Sequence, residues 1–212
     1  MSAGRSELIF ARHGRTAWNE AGRYQGRSDP PISAAGQADA EALARDLRGA
    51  RVRAIVTSPS RRAVATALIV RERLGVAPIT LDDRLLEIAF GTWEGLTQAE
   101  VKQRWPDQLR TWKQAPETLR FPGGETLDEA RGRLFACLRE PQLFSQSGHG
   151  DRGTTLVVGH GGMIRLAVLA ARRAPLTAFR AVEVAPGSIH RFRLRNDGAC
   201  ASLSLHSTEY SQ

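Results

Sequence analysis

The chain has 212 residues, 42% of them hydrophobic and 25% charged, which is ordinary for a globular domain and enough for a sizeable core. The formal net charge is +8, but the basic residues are spread along the whole chain without a nucleic-acid motif, which argues against nucleic-acid binding and favours small anionic substrates. No apolar run approaches the ~20 residues that span a bilayer and no secretory apolar segment is found, so we expect a cytoplasmic protein without membrane contact.

The first predicted element is a short buried strand at residues 7–11, where an apolar run leads directly into Arg12, His13 and Gly14. In α/β proteins the chemistry is placed in the crevice beyond the carboxyl ends of the strands. The run therefore makes His13 a candidate functional residue, although a turn that merely contains a histidine would have the same sequence.

The second predicted element is a helix that begins after Ser33, a residue type that caps helices well. It extends to about Leu47 and places Ala38, Ala42 and Leu43 on one face. That face is predicted to pack on the sheet.

A second strand is predicted at residues 53–57, and a second long helix follows it. Ser58 is predicted to cap this helix, with Pro59 at the first helical position, where proline is tolerated. The helix is predicted to run to Leu74 and to end at Gly75.

Residues 90–122 differ in character from the rest of the chain. Their predicted helices are short, because Pro106 and Pro116 interrupt them, and Thr97 with Glu100 has the spacing of a capping box. Three of the four tryptophans lie here: Trp93, Trp105 and Trp112. We expect a helical lid inserted into the domain rather than part of a sheet.

Thr126 and Glu129 form another capping box, which opens a helix that ends before Pro141. A polar, glycine-bearing loop is predicted at residues 142–153. Cys137 falls on the apolar face of the helix. Both it and the other cysteine, Cys200, are expected to be small buried hydrophobes rather than partners in a disulfide.

The last third of the chain contains a strand at 154–158, a helix at 162–172 and two further strands near 187–194 and 200–206. The strand at 154–158 also ends in a histidine, His160. Strands that alternate with helices predict a three-layer α/β/α fold with a mostly parallel central sheet. We expect one domain over residues 1–212, with 90–122 as the lid insertion.

Five segments in this order resemble the motifs of the histidine phosphatase superfamily, also called phosphoglycerate mutase-like, and in particular its phosphatase branch. They are Arg12-His13-Gly14 with Thr16 and Asn19; Ser58 to Ala63 with Thr66-Ala67; Leu85-Leu86-Glu87 with Gly91 to Gly95; Phe121 to Thr126; and Gly159-His160-Gly161-Gly162. The resemblance extends over roughly residues 8–200. It implies a phosphomonoester hydrolase that acts through a phosphohistidine.

The chemistry of phosphoryl transfer suits these residue types. A neutral imidazole is needed as the attacking group, and His13 is the candidate. Its other ring nitrogen is expected to be held by a backbone carbonyl, which fixes the tautomer. Glu87 is the candidate acid that protonates the leaving oxygen and then the base that activates water, with Glu94 the next acid to test.

The negative charge of the phosphoryl group requires preorganised donors. Arg12 and Arg62 can supply planar forks, and His160, if protonated, is a third cation. Gly14 and Gly161 are expected to let backbone N–H groups approach the phosphate closely.

Three further polar residues are expected at the phosphate or substrate because of the resemblance. Thr16 and Asn19 follow the first motif, and Gln25 lies in a loop that is predicted to cover the pocket. His190 and His206 fall in the late strands and are interpreted as structural.

Two alternatives to a hydrolase stay open. A cofactor-dependent phosphoglycerate mutase would share the first step, but related mutases carry paired basic residues in the lid, and residues 90–122 contain no such pair. A non-catalytic phosphate-binding module usually lacks the nucleophile or one of the cations, and here all are present.

No metal and no cofactor are expected, because arginines beside His13 and His160 would repel a metal cation. The expected partner is a small phosphorylated metabolite, and the aromatic lid favours a partly apolar leaving group. A homodimer is an option that the resemblance offers, since dimers are common among relatives.

Overall fold

The computed structural model describes residues 4–75, 78–140, 153–196 and 201–209. Within these ranges the centre of the molecule is one six-stranded sheet. Its strands in chain order are β1 (Gly4–Arg12), β2 (Val52–Thr57), β3 (Ile79–Leu81), β4 (Thr154–Gly159), β5 (Ile189–Asn196) and β6 (Ala201–Glu209).

The spatial order of the strands is β3-β2-β4-β1-β5-β6. The four strands from β3 to β1 pair in parallel, whereas β5 pairs antiparallel with both β1 and β6. The prediction of a mostly parallel central sheet is confirmed. The two late strands form its antiparallel side.

Helices cover both faces of the sheet, as the predicted three-layer architecture requires. The described α-helices are α1 (Ala17–Glu20), α2 (Ala34–Asp46), α3 (Arg61–Leu74), α4 (Gln98–Arg104), α5 (Pro106–Gln114), α6 (Leu127–Leu138) and α7 (Gly161–Arg172). Short 3-10 helices occur at Asp83–Leu85, Gly91–Trp93, Pro116–Thr118 and Leu176–Ala181. None of the helices in the described ranges combines the length and the hydropathy needed to cross a membrane.

Strand β1 separates two hydrophobic cores. Successive side chains of a strand point to opposite faces, so Leu8 and Phe10 contribute to the core under α6 and α7, whereas Ile9 and Ala11 contribute to the core under α2 and α3. All four side chains are buried. This explains why the strand reads as a continuous apolar run rather than as an alternating one.

Helix α2 begins where predicted, because the hydroxyl of Ser33 accepts a hydrogen bond from the backbone N–H of Gly36. The prediction that Ala38 lies on the buried face of α2 is wrong, because its side chain is exposed. The face that packs on the sheet includes Ala40 and Leu43.

Helix α3 begins two residues later than predicted. Its N-cap is Ser60, without a side-chain capping bond, and Pro59 precedes the helix. The hydroxyl of Ser58 accepts from the N–H of Ser60 at 3.4 Å, ahead of the helix, and also contacts a histidine described below. The predicted end at Gly75 is confirmed by its left-handed conformation, with φ of 64°.

The segment 90–122, described in full, adds no strand to the sheet. Its short helices pack on the core of α6 and α7 through Trp93, Leu109 and Trp112. The capping box of Thr97 with Glu100 is present.

The capping box of Thr126 with Glu129 opens α6 as predicted. Cys137 is a buried thiol of α6, and burial raises its pKa. Cys200 and most of the loop predicted at 142–153 lie outside the described residues.

Candidate active site

Three neighbouring strands end side by side and deliver the candidate residues to one edge of the sheet. Arg12 at the end of β1 is in register with Gly159 at the end of β4, and the backbone N–H of His13 donates to the carbonyl of Gly159 at 2.9 Å. Beyond β2, the N–H of Ser58 donates to the carbonyl of Val158 at 3.1 Å. The crevice beyond the carboxyl ends of parallel strands therefore contains both histidines of the predicted motifs.

His13 is buried, and its tautomer follows from one contact. Nδ1 lies 2.8 Å from the carbonyl oxygen of Gly14, which can only accept, so Nδ1 carries the hydrogen and Nε2 keeps its lone pair. Burial, followed by the charges of Arg12 and Arg62, lowers the pKa of His13 well below 6.5. The ring is thus a neutral imidazole with a free lone pair on Nε2, and His13 lines the cavity.

His160 lies against His13, with ring centroids 5.1 Å apart and planes inclined by 63°. Its Nε2 is 2.8 Å from the hydroxyl of Ser58 and 3.2 Å from that of Ser60. Its buried Nδ1 has no partner among the described residues. Burial, followed by the charge of Arg62, lowers the pKa of His160 well below 6.5, so His160 is neutral rather than a third cation.

Arg12 and Arg62 flank His13 and are both held by backbone carbonyls. Arg12 donates from Nη1 to Val184, and Arg62 donates from Nη1 to Ser28 and from Nη2 to Gly26. Within the described ranges, the Nε–H group of each arginine is buried without an acceptor. Burial lowers the pKa of Arg12 to about 10 and also lowers that of Arg62, which leaves Arg12 charged at neutral pH.

Glu87 is on the cavity wall just after the 3-10 helix Asp83–Leu85. One carboxylate oxygen accepts from the N–H of Ile88 at 2.9 Å, and the other accepts from the N–H of Gly162 at 3.0 Å. Gly162 has to be a glycine, since a Cβ there would lie 2.3 Å from Oε1 of Glu87. The second glycine of the segment after His160 therefore positions the carboxylate, which the sequence did not reveal.

Gly14 and Thr16 are not on the cavity wall. The N–H of Gly14 donates to the hydroxyl of Thr66 at 3.0 Å, and a Cβ at Gly14 would lie 2.1 Å from the carbonyl oxygen of Gly36. The hydroxyl of Thr16 caps α1 and, together with Asn19, forms a capping box. The structure does not bring these two residues to the expected phosphate position, because their polar groups are engaged in packing and capping.

Three other predicted residues do line the cavity: Asn19, Gln25 and Gly161. The side-chain oxygen of Asn19 accepts from Thr16, which leaves its amide NH2 for a ligand. The side-chain oxygen of Gln25 is buried and has no partner in the described part of the chain. A Cβ at Gly161 would be 3.5 Å from Nε of Arg12, in ordinary contact.

The cavity has a volume of about 310 Å³, at the small end of the range for small-molecule sites. Four aromatic side chains contribute to its wall: Tyr24, Phe90, Trp112 and Phe179. Trp112 and Phe90 come from the predicted lid segment.

Three arginines of the wall were not predicted from the sequence: Arg23, Arg165 and Arg180. Arg165 follows Gly161 by four residues on α7 and therefore shares its face, a spacing that could have identified it. Arg180 lies in the 3-10 helix Leu176–Ala181, and no pattern in the sequence points to it.

The remaining titratable candidates lie elsewhere. Glu94 accepts hydrogen bonds from the backbone of Arg27, Ser28 and Phe90, so it holds the loop before the cavity. His190 is buried in β5, between the hydroxyls of Ser188 and Thr208, on the wall of a second cavity.

This arrangement defines an α/β protein with an anion site, in which a neutral histidine lies beside the buried Arg62, the half-buried Arg12 and a second histidine. The comparison with known families gives the class a name. The family described as histidine phosphatase superfamily (branch 1) matches residues 8–205, and the chain belongs to it.

Relatives with established names include both phosphatases and mutases. Phosphoserine phosphatase 1 of Hydrogenobacter thermophilus is 37% identical over 134 residues, which are 63% of this chain and 63% of that protein. A 2,3-bisphosphoglycerate-dependent phosphoglycerate mutase of Methylobacterium sp. (strain 4-46) is 31% identical over 204 residues, 93% of this chain and 96% of that protein.

Solved structures show the same fold over nearly the whole chain. Mycobacterial glucosyl-3-phosphoglycerate phosphatase in complex with VO3 matches with a TM-score of 0.80 and 29% identity, covering 95% of this chain and 98% of that chain. The chain spans only 63% of the phosphoserine phosphatase, and 55% of mycobacterial proteins to which it is 32% identical.

Proposed function

We propose that the protein is a phosphomonoester hydrolase that acts on a small phosphorylated metabolite through a phosphohistidine at His13. The observation that carries this proposal is the set of unsatisfied donors around His13. Buried N–H groups without an acceptor are rare and costly, and among the described residues the Nε–H groups of Arg12 and Arg62 are of this kind. Nδ1 of His160 is likewise buried without a partner there. A phosphoryl group on Nε2 of His13 would satisfy them.

In the first step the lone pair of His13 Nε2 attacks phosphorus as the bond to the ester oxygen breaks. The contact of Nδ1 with Gly14 keeps the ring in the attacking tautomer and stabilises the positive charge that develops on it. In the tautomer of His160 that this step uses, Nδ1 carries the hydrogen and donates to a phosphoryl oxygen, while Nε2 accepts from the hydroxyl of Ser58, 2.8 Å away.

Glu87 supplies the proton that the leaving oxygen requires, and it lies on the same cavity wall as His13. In the second step the Glu87 carboxylate takes a proton from water as the water oxygen bonds to phosphorus and the bond to His13 breaks. Inorganic phosphate leaves, His13 is again neutral, and Glu87 holds the proton for the next turnover.

The names of the relatives support a hydrolase of small phosphorylated compounds, since they include phosphoserine and glucosyl-3-phosphoglycerate phosphatases. The VO3 complex of the latter has a phosphate mimic bound on the same fold. We also propose that residues 90–122 act as a lid, because this segment provides Phe90 and Trp112 to the cavity wall.

A phosphoglycerate mutase is the second candidate, because a mutase of this family aligns with 93% of the chain. Related mutases hold the second anionic end of their substrate with paired basic residues of the lid. The five basic residues of the lid segment do not do so. All are exposed and none lines the cavity: Lys102, Arg104, Arg110, Lys113 and Arg120. This favours the hydrolase.

Phosphorus NMR of the reaction products distinguishes the two functions. The protein is incubated with 3-phosphoglycerate and a bisphosphoglycerate primer, and separately with a panel of phosphomonoesters. We expect free phosphate to form from the best monoester faster than 2-phosphoglycerate forms. Efficient isomerisation with little free phosphate would make the protein a mutase, and no turnover of any phosphate ester would exclude both.

A further inference from the structure

Five arginines line the cavity, and three of them, Arg12, Arg165 and Arg180, have no carboxylate partner among the described residues. Of the wall arginines, Arg23 pairs with Glu100, and Arg62 is near Asp29. Arg165 and Arg180 form no ion pair with any carboxylate in the described ranges. Unpaired cations on a cavity wall are complementary to an anionic ligand.

These two arginines are held by an aromatic platform. The guanidinium carbon of Arg165 lies 5.6 Å from the ring centroid of Phe179, and that of Arg180 lies 5.7 Å from the centroid of Trp112. The two rings are 5.5 Å apart. Because both cations stack on this platform, their positions are set before a ligand enters.

The guanidinium of Arg165 is fixed on one side and free on the other. Its Nε donates to the carbonyl of Val182 at 2.8 Å, and no partner is described for its two terminal nitrogens. The terminal nitrogens of a guanidinium form a fork that suits the two oxygens of a carboxylate. Two of the four rings on the wall are therefore covered by cations and present a charged surface rather than an apolar one.

Hydrogen bonds place Arg165 beside the phosphate end of the cavity. Arg12 donates to the carbonyl of Val184, and Arg165 donates to the carbonyl of Val182, two residues earlier in the chain. Burial lowers the pKa of Arg165, and the charge of Glu87 opposes that shift. The leaving group of a phosphomonoester bound at His13 would lie along this part of the wall.

We propose that Arg165 and Arg180 form a second anion site that binds a carboxylate on the leaving group, so that the preferred substrates are phosphorylated hydroxy acids. This inference rests on the proposed hydrolase function. The charge of the wall supports it. Five arginines line the cavity against one carboxylate, Glu87, and the phosphoryl group occupies only two of them. A leaving group that carries an ammonium beside its carboxylate would bind to Arg165 and Arg180 less favourably.

The test compares 3-phosphoglycerate with glycerol 3-phosphate, which has a hydroxymethyl group in place of the carboxylate. Phosphate release is measured for both, with p-nitrophenyl phosphate as a reference. For the wild type we expect kcat/KM to be at least about tenfold higher for 3-phosphoglycerate, the effect of one charge-assisted hydrogen bond. O-phosphoserine is expected to fall between the two.

The key variants are Arg180→Met, on an exposed side chain, and Arg165→Met. We expect each to lower the ratio of the two kcat/KM values by about fivefold to tenfold, through KM for 3-phosphoglycerate. Arg110→Met is the matched control, because it removes the same charge from an exposed arginine paired with Asp107. It should keep the wild-type ratio. Arg180→Met is informative even if Arg165→Met does not fold.

The outcomes separate this inference from the proposed function. Turnover of p-nitrophenyl phosphate with equal kcat/KM for the two matched substrates would overturn the carboxylate site and leave the hydrolase standing. The carboxylate site would also be overturned, and the hydrolase retained, if Arg110→Met changed the ratio of the two kcat/KM values as much as Arg180→Met does. No turnover of any of the esters would overturn the hydrolase itself.

Discussion

The hydroxyl of Ser58 lies 2.8 Å from Nε2 of His160, although 102 residues separate them in the chain. Ser58 follows β2 and His160 follows β4, two strands that are neighbours in the sheet. Both residues are fully buried. The contact therefore joins the ends of two neighbouring strands through buried side chains.

Ser58→Ala is expected to slow formation of the phosphoenzyme about fivefold, because His160 loses the stronger of its two hydroxyl contacts. Substrate binding should change less than the rate of this step. Ser60→Ala, which removes the contact at 3.2 Å, is the matched control and should have a smaller effect. Rapid-quench kinetics measures both, and a larger effect of Ser60→Ala would contradict the role of Ser58.

His13→Ala is expected to abolish turnover and covalent labelling without unfolding the protein, because the side chain lies beyond the end of β1. The measurement is incorporation of labelled phosphate after a denaturing quench at alkaline pH, since the phosphorus–nitrogen bond of phosphohistidine is acid-labile. His206→Ala, at an exposed histidine, is the control and should label like the wild type. Label on the His13→Ala protein would exclude His13 as the nucleophile.

Glu87→Gln is expected to slow phosphoenzyme formation far more with an alkyl phosphate than with p-nitrophenyl phosphate. Nitrophenolate leaves without a proton, whereas an alkoxide requires one, and general acids contribute about 10²–10⁴-fold. Breakdown of the phosphoenzyme should slow with both substrates, because water loses its base. Equal burst rates of wild type and variant with the alkyl phosphate would point to another acid.

Glu94→Gln tests whether the second carboxylate is structural. Its oxygens accept from the backbone of Arg27, Ser28 and Phe90, and an amide cannot satisfy all of these donors. We expect a loss of about 2 kcal/mol of stability, or a fall in Tm of roughly 4–8 °C. The variant should not show the dependence on leaving group expected for Glu87→Gln. If it does, Glu94 takes part in the chemistry.

Acid is expected to destabilise the protein through its buried histidines. Burial lowers the pKa of His190 from 6.5 to about 4. Between these values the unfolded chain binds a proton that the folded protein does not, so stability falls as the pH falls through this window and is fully present above pH 6.5. His13 and His160 act in the same direction.

The measurement is denaturant unfolding at pH 7 and at pH 4.5. Between these two pH values, the free energy of unfolding of His190→Gln should fall by about 2–3 kcal/mol less than that of the wild type. His206→Gln removes an exposed histidine instead and serves as the control. If the free energy of unfolding of His190→Gln falls as much as that of the wild type, His190 does not contribute to the acid sensitivity.

The strands and long helices could be predicted from the sequence because their signals are local. The apolar run of residues 8–11 is buried on both faces, and Ser33, Thr97 and Thr126 cap their helices through groups three residues away. Serines flank Pro59 on both sides, so the sequence offers two positions for the N-cap of α3, and the helix begins after the second, Ser60.

The residues of the candidate site were predicted only in part. His13, Arg12, Arg62, Glu87 and His160 do meet at one edge of the sheet, because strand ends converge there. The polar groups of Gly14 and Thr16 are engaged by Thr66 and Asn19, and the free cations of the wall include Arg165 and Arg180. Which polar groups stay free is a property of tertiary packing, so it could not be inferred from residue type.

The position of β1 in the sheet has a consequence for synthesis of the protein. Its two neighbours are β4 and β5, both from the last third of the chain. At about 5–20 residues per second, a ribosome needs roughly 7 to 28 s to proceed from residue 12 to residue 154. During that time the apolar run at residues 8–11 has neither strand partner. A chain released within this interval would lack the strands that complete the site around His13.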